Sequence, residues 1–376
     1  MKKNKILFLI NTLQGGGAEK VLIDIVNMLS KDHFNITVQT ILNSGVYKEA
    51  LGTHVRYTSI VKSKNKFLTK TFSYLVQFVL PPKLVYRLFV RDEYDFEVAF
   101  LEGVPAKILS GSYNKKSKKY AWIHTDMYAH FDAHRKVYKK IEQHKKMYSF
   151  FDKIICVSKG AKEGFIKQFG INENIEVIYN VYNDKNIIAS AKEKQDIIVR
   201  DDIFKVISVG RLCKVKGFDR LLRVHKRLIT EGLFHRLYIV GEGYQRQELE
   251  NYIQDNDLQE SVTLIGFDKN PYKYMSACDL FVCSSWAEGF STVVSEAMIL
   301  GIPVVGTDVA GIEEQIYAND ISGIVVENSE EGIYEGLKTM LTQKEKYDMC
   351  VNGAKKRAET LKMEILLQPI EKLFDI

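Results

Sequence analysis

Short apolar runs alternate with helix-period stretches along almost the whole chain, and the alternation begins twice. The first series contains KILFLI (5–10), a helical pattern over residues 17–30, NITVQTIL (35–42), FEVAFL (96–101), KKYAWIH (118–124), DKIICVS (152–158) and IEVIYN (175–180). The second contains FKVISVG (204–210), a helix near 217–231, HRLYIVG (235–241), a helix near 244–255, SVTLIG (261–266), a helix near 271–277, DLFVCSS (279–285), a helix after Ser291, IPVVGTD (302–308) and SGIVVE (322–327). Strands alternating with helices of this length form parallel sheets covered by helices on both faces. Two such series predict an α/β chain of two doubly wound domains, and 376 residues exceed what one ordinary core organises. The polar stretch NDKNIIASAKEKQDIIVRDD (183–202) lacks the apolar period of its neighbours, which places the boundary near 184–203. The expected domains are 1–184 and 185–359, and the tail from about Lys344 reads as helices, with LKMEILLQPIEKLF (361–374) as the last. Ligands of open parallel sheets sit at the carboxyl ends of the strands, so a cleft between the two domains is the expected active site.

Five cysteines, Cys156, Cys213, Cys278, Cys283 and Cys350, are scattered and have no zinc-finger spacing. They predict free thiols and a reducing, cytoplasmic setting, with Cys156 and Cys283 as small core residues. The apolar run Ile6 to Ile10 is too short for a signal peptide core and reads as a first strand. No run approaches the ~18 apolar residues of a spanning helix.

Charge is uneven. Residues 1–184 carry 29 Lys/Arg against 17 Asp/Glu, and residues 185–376 carry 24 against 30. Lys62 to Arg91 holds seven basic residues and no acid, with FSYLVQFVL and LVYRLFV between them. Basic, apolar and aromatic residues on one segment suit an anionic membrane surface. The alternative is a core-packing helix pair with a solvated basic face, broken at Pro81-Pro82. Nucleic acid is not expected, since no base-reading motif accompanies the charge.

The residues that carry chemistry cluster after strands. Gly15-Gly16-Gly17 follows the first strand and precedes a helix, where glycine backbone can approach a ligand and free N–H groups can cradle a phosphate. A tight turn explains the same glycines. Gly210-Arg211 ends a strand and Lys216 sits five residues on. Two such cations can clamp a diphosphate, Arg as a planar fork and Lys as a point charge; the alternative is a solvated loop. Gly241, Gly243 and Gly266 end the next strands and keep one edge of the sheet open, and Phe267 packs either beside a base or into the core. Glu288 and Glu296 are separated by seven residues, the first in a glycine loop and the second in a helix. A helix N-terminus binds anions, so this segment suits a sugar nucleotide.

Together, Gly210-Arg211-Leu212 with Lys216-Gly217, Gly241-Glu242-Gly243, Glu288-Gly289-Phe290 and Glu296-Ala297-Met298 resemble the retaining glycosyltransferases of family four, as found among bacterial surface-polysaccharide enzymes. The resemblance covers nearly the whole chain and is strongest over 206–311. It implies the GT-B fold, with two Rossmann-like domains facing a cleft, acceptor on the first and donor on the second, and a C-terminal helix of about 360–376 returning to the first. Arg211 and Lys216 would hold the donor's diphosphate, Glu296 the ribose hydroxyls, and Glu288 the donor sugar. Backbone from Gly289 and Phe290 through Ser291, Thr292 and Val293 would contact sugar and phosphate. Gly15 and Gly16 would complete the phosphate-side wall, and His124 would approach the donor sugar. Ser291 stands where the family often has Gly, which adds a side chain beside the sugar, and Asn180-Val181 stands where Asn-Gly is common.

The implied reaction moves a hexose or N-acetylhexosamine from a nucleotide sugar, with UDP favoured, to a glycan or lipid-linked acceptor, without metal or cofactor. Acceptor choice is expected in loops 43–70 and 126–146. A front-face attack with Glu288 as sugar orienter is the mechanism the resemblance implies; a hydrolase-like nucleophilic Glu288 is the competing reading. His124, His130 and His134, with Asp126 and Asp132, make a metal site conceivable, although acceptor contacts or a solvated face fit them better. Two other classes compete. A nicotinamide oxidoreductase would need a spaced GxGxxG that is missing. A non-catalytic carbohydrate- or membrane-binding protein of the same fold would not need Arg211, Lys216, Glu288 and Glu296 together.

Overall fold

The computed structural model describes residues 3–62, 70–72, 74–129, 138, 140–198, 201–318 and 320–374. The chain forms two compact units, Met1–Val181 with Leu366–Ile376, and Tyr182–Ile365.

Unit 1 holds strands β1 (Asn4–Ile10), β2 (Phe34–Leu42), β3 (Arg56–Val61), β4 (Phe96–Ala99), β5 (Lys118–Ile123), β6 (Lys153–Cys156) and β7 (Ile175–Val177). They pair in parallel in the order 3-2-1-4-5-6-7. β1 lies between β2 and β4, and Ile6 through Ile10 are fully buried, which is why its sequence is an unbroken apolar run. β3 was not expected: residues 56–61 fall within the stretch read as an acceptor loop. Arg56-Tyr57-Thr58-Ser59 is polar because β3 is an edge strand, paired among the described residues only with β2.

Unit 2 holds β8 (Lys205–Val209), β9 (Arg236–Val240), β10 (Val262–Gly266), β11 (Leu280–Cys283), β12 (Val304–Thr307) and β13 (Gly323–Val326), parallel in the order 10-9-8-11-12-13. In each sheet the order reverses beside the first strand, between β1 and β4 and between β8 and β11. The carboxyl ends at such a reversal leave a crevice between oppositely directed connections. The polar stretch read as a linker is partly helical. Asp184–Ser190 is a helix of unit 2, capped by Asn183 with Ile187 buried, and Asp184 Oδ1 accepts from the Met363 backbone N–H at 3.1 Å.

The last helix, Met363–Phe374, begins in unit 2 and ends in unit 1. Phe374 is fully buried, with its ring 5.8 Å from Phe8, 6.4 Å from Phe34, 5.3 Å from Phe96 and 6.2 Å from Tyr120.

The basic segment shows both of the faces its sequence allowed. Residues 63–69 and 73 lie outside the described residues. A helical turn, Leu75–Val79, is followed by extended Pro81 and the helix Pro82–Phe89. Val76, Val85 and Tyr86 are buried, and Lys107 Nζ donates to the Gln77 carbonyl at 2.9 Å. Tyr74, Leu75, Val79, Leu84 and Leu88 are exposed, as are Lys70, Lys83 and Arg87. Among the described residues no helix is long and apolar enough to cross a membrane. Cys156 and Cys283 are buried free thiols, as their apolar neighbours predicted.

Candidate active site

The crevice side of unit 2 gathers most of the predicted residues. Lys216 ends the short turn Lys214–Lys216 after β8, and Glu288 lies in the loop after β11. β8 and β11 are neighbours, so two residues 72 apart in sequence meet: Lys216 Nζ is 2.6 Å from Glu288 Oε1. Ser285 Oγ donates to the same oxygen at 2.6 Å. Burial pulls the Lys216 ammonium downward, but the Glu288 carboxylate more than offsets it, so Lys216 titrates above its ordinary value and stays charged.

Arg220, missed by the sequence reading, holds this loop from behind. It is fully buried. Its Nε donates to the Ser284 carbonyl at 2.9 Å, and one terminal nitrogen donates to Ser284 O at 2.7 Å, Ser285 O at 2.8 Å and Asn328 Oδ1 at 2.8 Å. Its guanidinium covers Trp286, 3.7 Å from the ring centroid. Burial lowers its pKa to about 10. Ser284 Oγ in turn donates to the Lys216 carbonyl at 2.9 Å, and Trp286 N–H donates to Val215 O at 2.7 Å. The loops carrying the lysine and the glutamate are thus tied together by backbone as well as by the ion pair.

Arg211 is exposed and makes no hydrogen bond or ion pair among the described residues. Around it the backbone continues the sheet: Gly210 N–H donates to Val240 O and Leu212 N–H to Glu242 O, both at 2.9 Å. A Cβ on Gly241 would collide with the Gly210 carbonyl, and one on Gly243 with that of Leu212. These glycines therefore have a packing cause, the close approach of two backbone segments, independent of any ligand. Phe267 is 58% exposed, which removes the core-packing reading.

Glu296 lies within the helix Thr292–Ile299 and is 3% exposed; Tyr272 OH donates to its Oε1 at 3.2 Å. Between the two acids, Gly289 and Phe290 pass against Gly311, where a side chain would strike the Gly289 carbonyl; Gly311 has φ +80°, favoured by glycine. Gln315, fully buried, brackets Ser291: its Oε1 accepts from Ser291 N–H at 3.2 Å, and its Nε2 donates to Ser291 O at 2.8 Å and Ser295 Oγ at 2.7 Å. Thr292 and Val293 open the helix.

The remaining predicted residues belong to unit 1. Gly15 has φ +115°, and Gly16 precedes the helix Gly17–Met28. The Glu19 carboxylate lies against that turn, where a Cβ on Gly16 would meet it, and accepts from Thr12 Oγ1 at 3.2 Å. This helix N-terminus already faces an acid. His124 follows β5. Its backbone N–H donates to Glu102 Oε2 at 3.1 Å, Thr125 Oγ1 donates to Glu102 Oε1 at 2.8 Å, and its ring lies 4.8 Å from that of Phe100. Burial pushes the imidazole down to about 4 against the opposing pull of Glu102, so it is neutral at neutral pH, and its buried Nε2 has no partner among the described residues. His130, Asp132 and His134 lie outside the described residues. Among the described residues no three His, Cys, Asp or Glu side chains gather as a metal-ligand set.

Two doubly wound parallel sheets in one chain, the second carrying a lysine–carboxylate pair at its switch point, define a GT-B fold. Solved structures agree over nearly the full length. A protein of Anabaena, HepE, solved with UDP and glucose, superposes with a TM-score of 0.79 at 22% identity, covering 99% of this chain and 100% of that one. WaaG, a glycosyltransferase involved in lipopolysaccharide biosynthesis, superposes with a TM-score of 0.71 at 18% identity, covering 98% and 99%. Residues 15–185 match the family described as Glycosyltransferase Family 4, and residues 189–357 match Glycosyl transferases group 1. The chain belongs to the family-four glycosyltransferases. A Campylobacter jejuni relative, N-acetylgalactosamine-N,N'-diacetylbacillosaminyl-diphospho-undecaprenol 4-alpha-N-acetylgalactosaminyltransferase, is 37% identical over 215 residues, 57% of each chain. The capsular polysaccharide biosynthesis glycosyltransferase CapM of Staphylococcus aureus is 25% identical over 229 residues, 59% of this chain and 58% of that one. The chain thus spans a little over half the length of these two relatives.

Proposed function

We propose that the protein is a retaining glycosyltransferase of bacterial surface-polysaccharide synthesis. It moves a hexose or N-acetylhexosamine from a UDP-sugar to a glycan or lipid-linked acceptor. The observation that carries this reading is the Lys216–Glu288 pair at the switch point of unit 2. It is supported by the C. jejuni relative, whose name describes transfer to a diphospho-undecaprenol-linked sugar, and by the HepE fold, solved with UDP and glucose.

In this mechanism Arg211, Lys216 and the N-terminus of Thr292–Ile299 stabilise the charge that develops on the departing diphosphate. They serve this role without a metal or an organic cofactor, each aimed donor contributing roughly 3–4 kcal/mol in a dry site. One oxygen of Glu288 is engaged by both Lys216 and Ser285, which lowers its strength as a nucleophile and favours its role as orienter of the sugar. The acceptor hydroxyl then attacks from the leaving-group face and a diphosphate oxygen takes its proton, with retention at the anomeric carbon. Glu296 holds the ribose, aligned by Tyr272, and neutral His124 presents its open Nε2 to the donor sugar.

A thermal-shift panel of UDP, GDP and ADP tests the donor. UDP at about 100 times its Kd should stabilise the chain by about 2.7 kcal/mol, raising the melting temperature by a few degrees. Stabilisation by GDP or ADP alone reassigns the nucleotide, and no response to any of them overturns the reading. Product analysis by NMR tests retention, and a trapped glycosyl-Glu288 adduct replaces the front-face step by a double displacement.

The protein acts at the cytoplasmic membrane surface, held peripherally by residues 62–91. The support is that this segment exposes Leu84, Leu88, Val79 and Tyr74 together with Lys70, Lys83 and Arg87, and that its sequence holds no acid. Flotation should show binding to vesicles rich in anionic lipid, weakened at 1 M salt, where the Debye length shrinks to about 3 Å. Equal recovery with neutral vesicles, or none with anionic ones, sinks this assignment.

A further inference from the structure

Three helices of the described chain begin at a serine in the N-cap position, and one of the three serines behaves differently from the others. Ser158 Oγ accepts from Ala161 N–H at 2.9 Å, and Ser329 Oγ accepts from Gly332 N–H at 3.0 Å. Both satisfy a first-turn donor in the usual way. Ser291, at the start of Thr292–Ile299, makes no side-chain cap. It is 2% exposed, and its hydroxyl has no hydrogen-bond partner among the described residues. The rest of its polar surface is spent, since Gln315 takes both its N–H and its carbonyl. A buried hydroxyl without a partner costs free energy, so its persistence calls for a partner that arrives from outside.

We propose that the Ser291 hydroxyl is a specificity-determining donor for the diphosphate of the sugar nucleotide. The assignment rests on the nucleotide-sugar reading above and adds to it a side-chain contact. The chemistry follows from the neighbours. Because Ser291 does not cap, the first-turn N–H groups of this eight-residue helix are left uncapped by its side chain, and the positive end of the helix dipole lies beside a free O–H. Donors of this kind, with Lys216 paired to Glu288 three residues before Ser291, call for a ligand rich in anionic oxygen. Gln315 is the positioning residue: by fixing the backbone of residue 291 on both sides it fixes where the hydroxyl can point.

Calorimetry on the full chain with UDP and with uridine, in wild type, Ser291→Ala and Ser291→Thr, tests this. A hydrogen bond to a charged oxygen supports an expected loss of about tenfold or more in UDP affinity for Ser291→Ala, with uridine affinity unchanged and Ser291→Thr close to wild type. The melting temperature of unliganded Ser291→Ala should equal or exceed that of wild type, because the substitution removes only an unsatisfied atom. A fall of several degrees would make the hydroxyl structural and overturn the assignment. Wild-type UDP affinity in Ser291→Ala overturns it while leaving the donor reading intact, as does an equal loss for UDP and uridine. Wild-type protein that binds UDP no better than uridine overturns both.

Discussion

Lys216→Ala should lower the transfer rate by about 10²–10³-fold, the usual consequence of removing one aimed donor from a charge-stabilising site. Two effects combine. The departing diphosphate loses a cation, and Glu288, whose side chain is 13% exposed, loses its 2.6 Å partner. Removing one member of a fully buried pair costs ~3–5 kcal/mol; here solvent reaches both side chains, so the stability loss should fall below that range. Lys216→Arg should not rescue, since a planar fork cannot replace a point charge at a Glu288 oxygen that Ser285 also occupies. The double variant Lys216→Ala/Glu288→Gln should be far less than additive, because the two groups act as one unit. Steady-state kinetics with the donor identified by thermal shift measures all three. Activity of Lys216→Ala within threefold of wild type would remove the pair from the mechanism.

Phe374→Ala should destabilise unit 1 by about 3–5 kcal/mol, the range for truncating a buried aromatic side chain. The ring sits among Phe8, Phe34, Phe96 and Tyr120, on the four adjacent strands β2, β1, β4 and β5. Edge-on aromatic contacts add to the area term, so Phe374→Leu should cost less but remain measurable. Calorimetric melting should show the loss as an earlier transition, with the nucleotide-dependent shift of unit 2 retained. A melting curve identical to wild type would mean that the C-terminal helix adds little to that core.

Most of this architecture can be read from the chain because buried parallel strands carry unbroken apolar runs; β1, β8 and β11 are plain for that reason. β3 is not, since an edge strand buries only part of itself and Arg56-Tyr57-Thr58-Ser59 looks like a loop. The candidate site divides in the same way. Arg211, Lys216 and Glu288 stand out beside glycines after strands, and Glu296 by its spacing from Glu288. That Lys216 meets Glu288 depends on β8 lying next to β11, a long-range pairing that no local spacing encodes. Arg220 resembles a solvated helix charge, because nothing local shows that its partners are carbonyls 64 and 65 residues away. Tyr272, Ser285 and Gln315 are ordinary polar residues until the fold aims them.

Phe374 also sets an order of events during synthesis. Strands β1 to β7 leave the ribosome first, but the residue that plugs their core is made only after all of unit 2. Unit 2, contiguous from Tyr182 to Ile365, has every residue it needs before unit 1 does. The amino-terminal half must therefore wait with an open aromatic pocket while the later half closes, a reversal of the usual N-to-C sequence of domain folding.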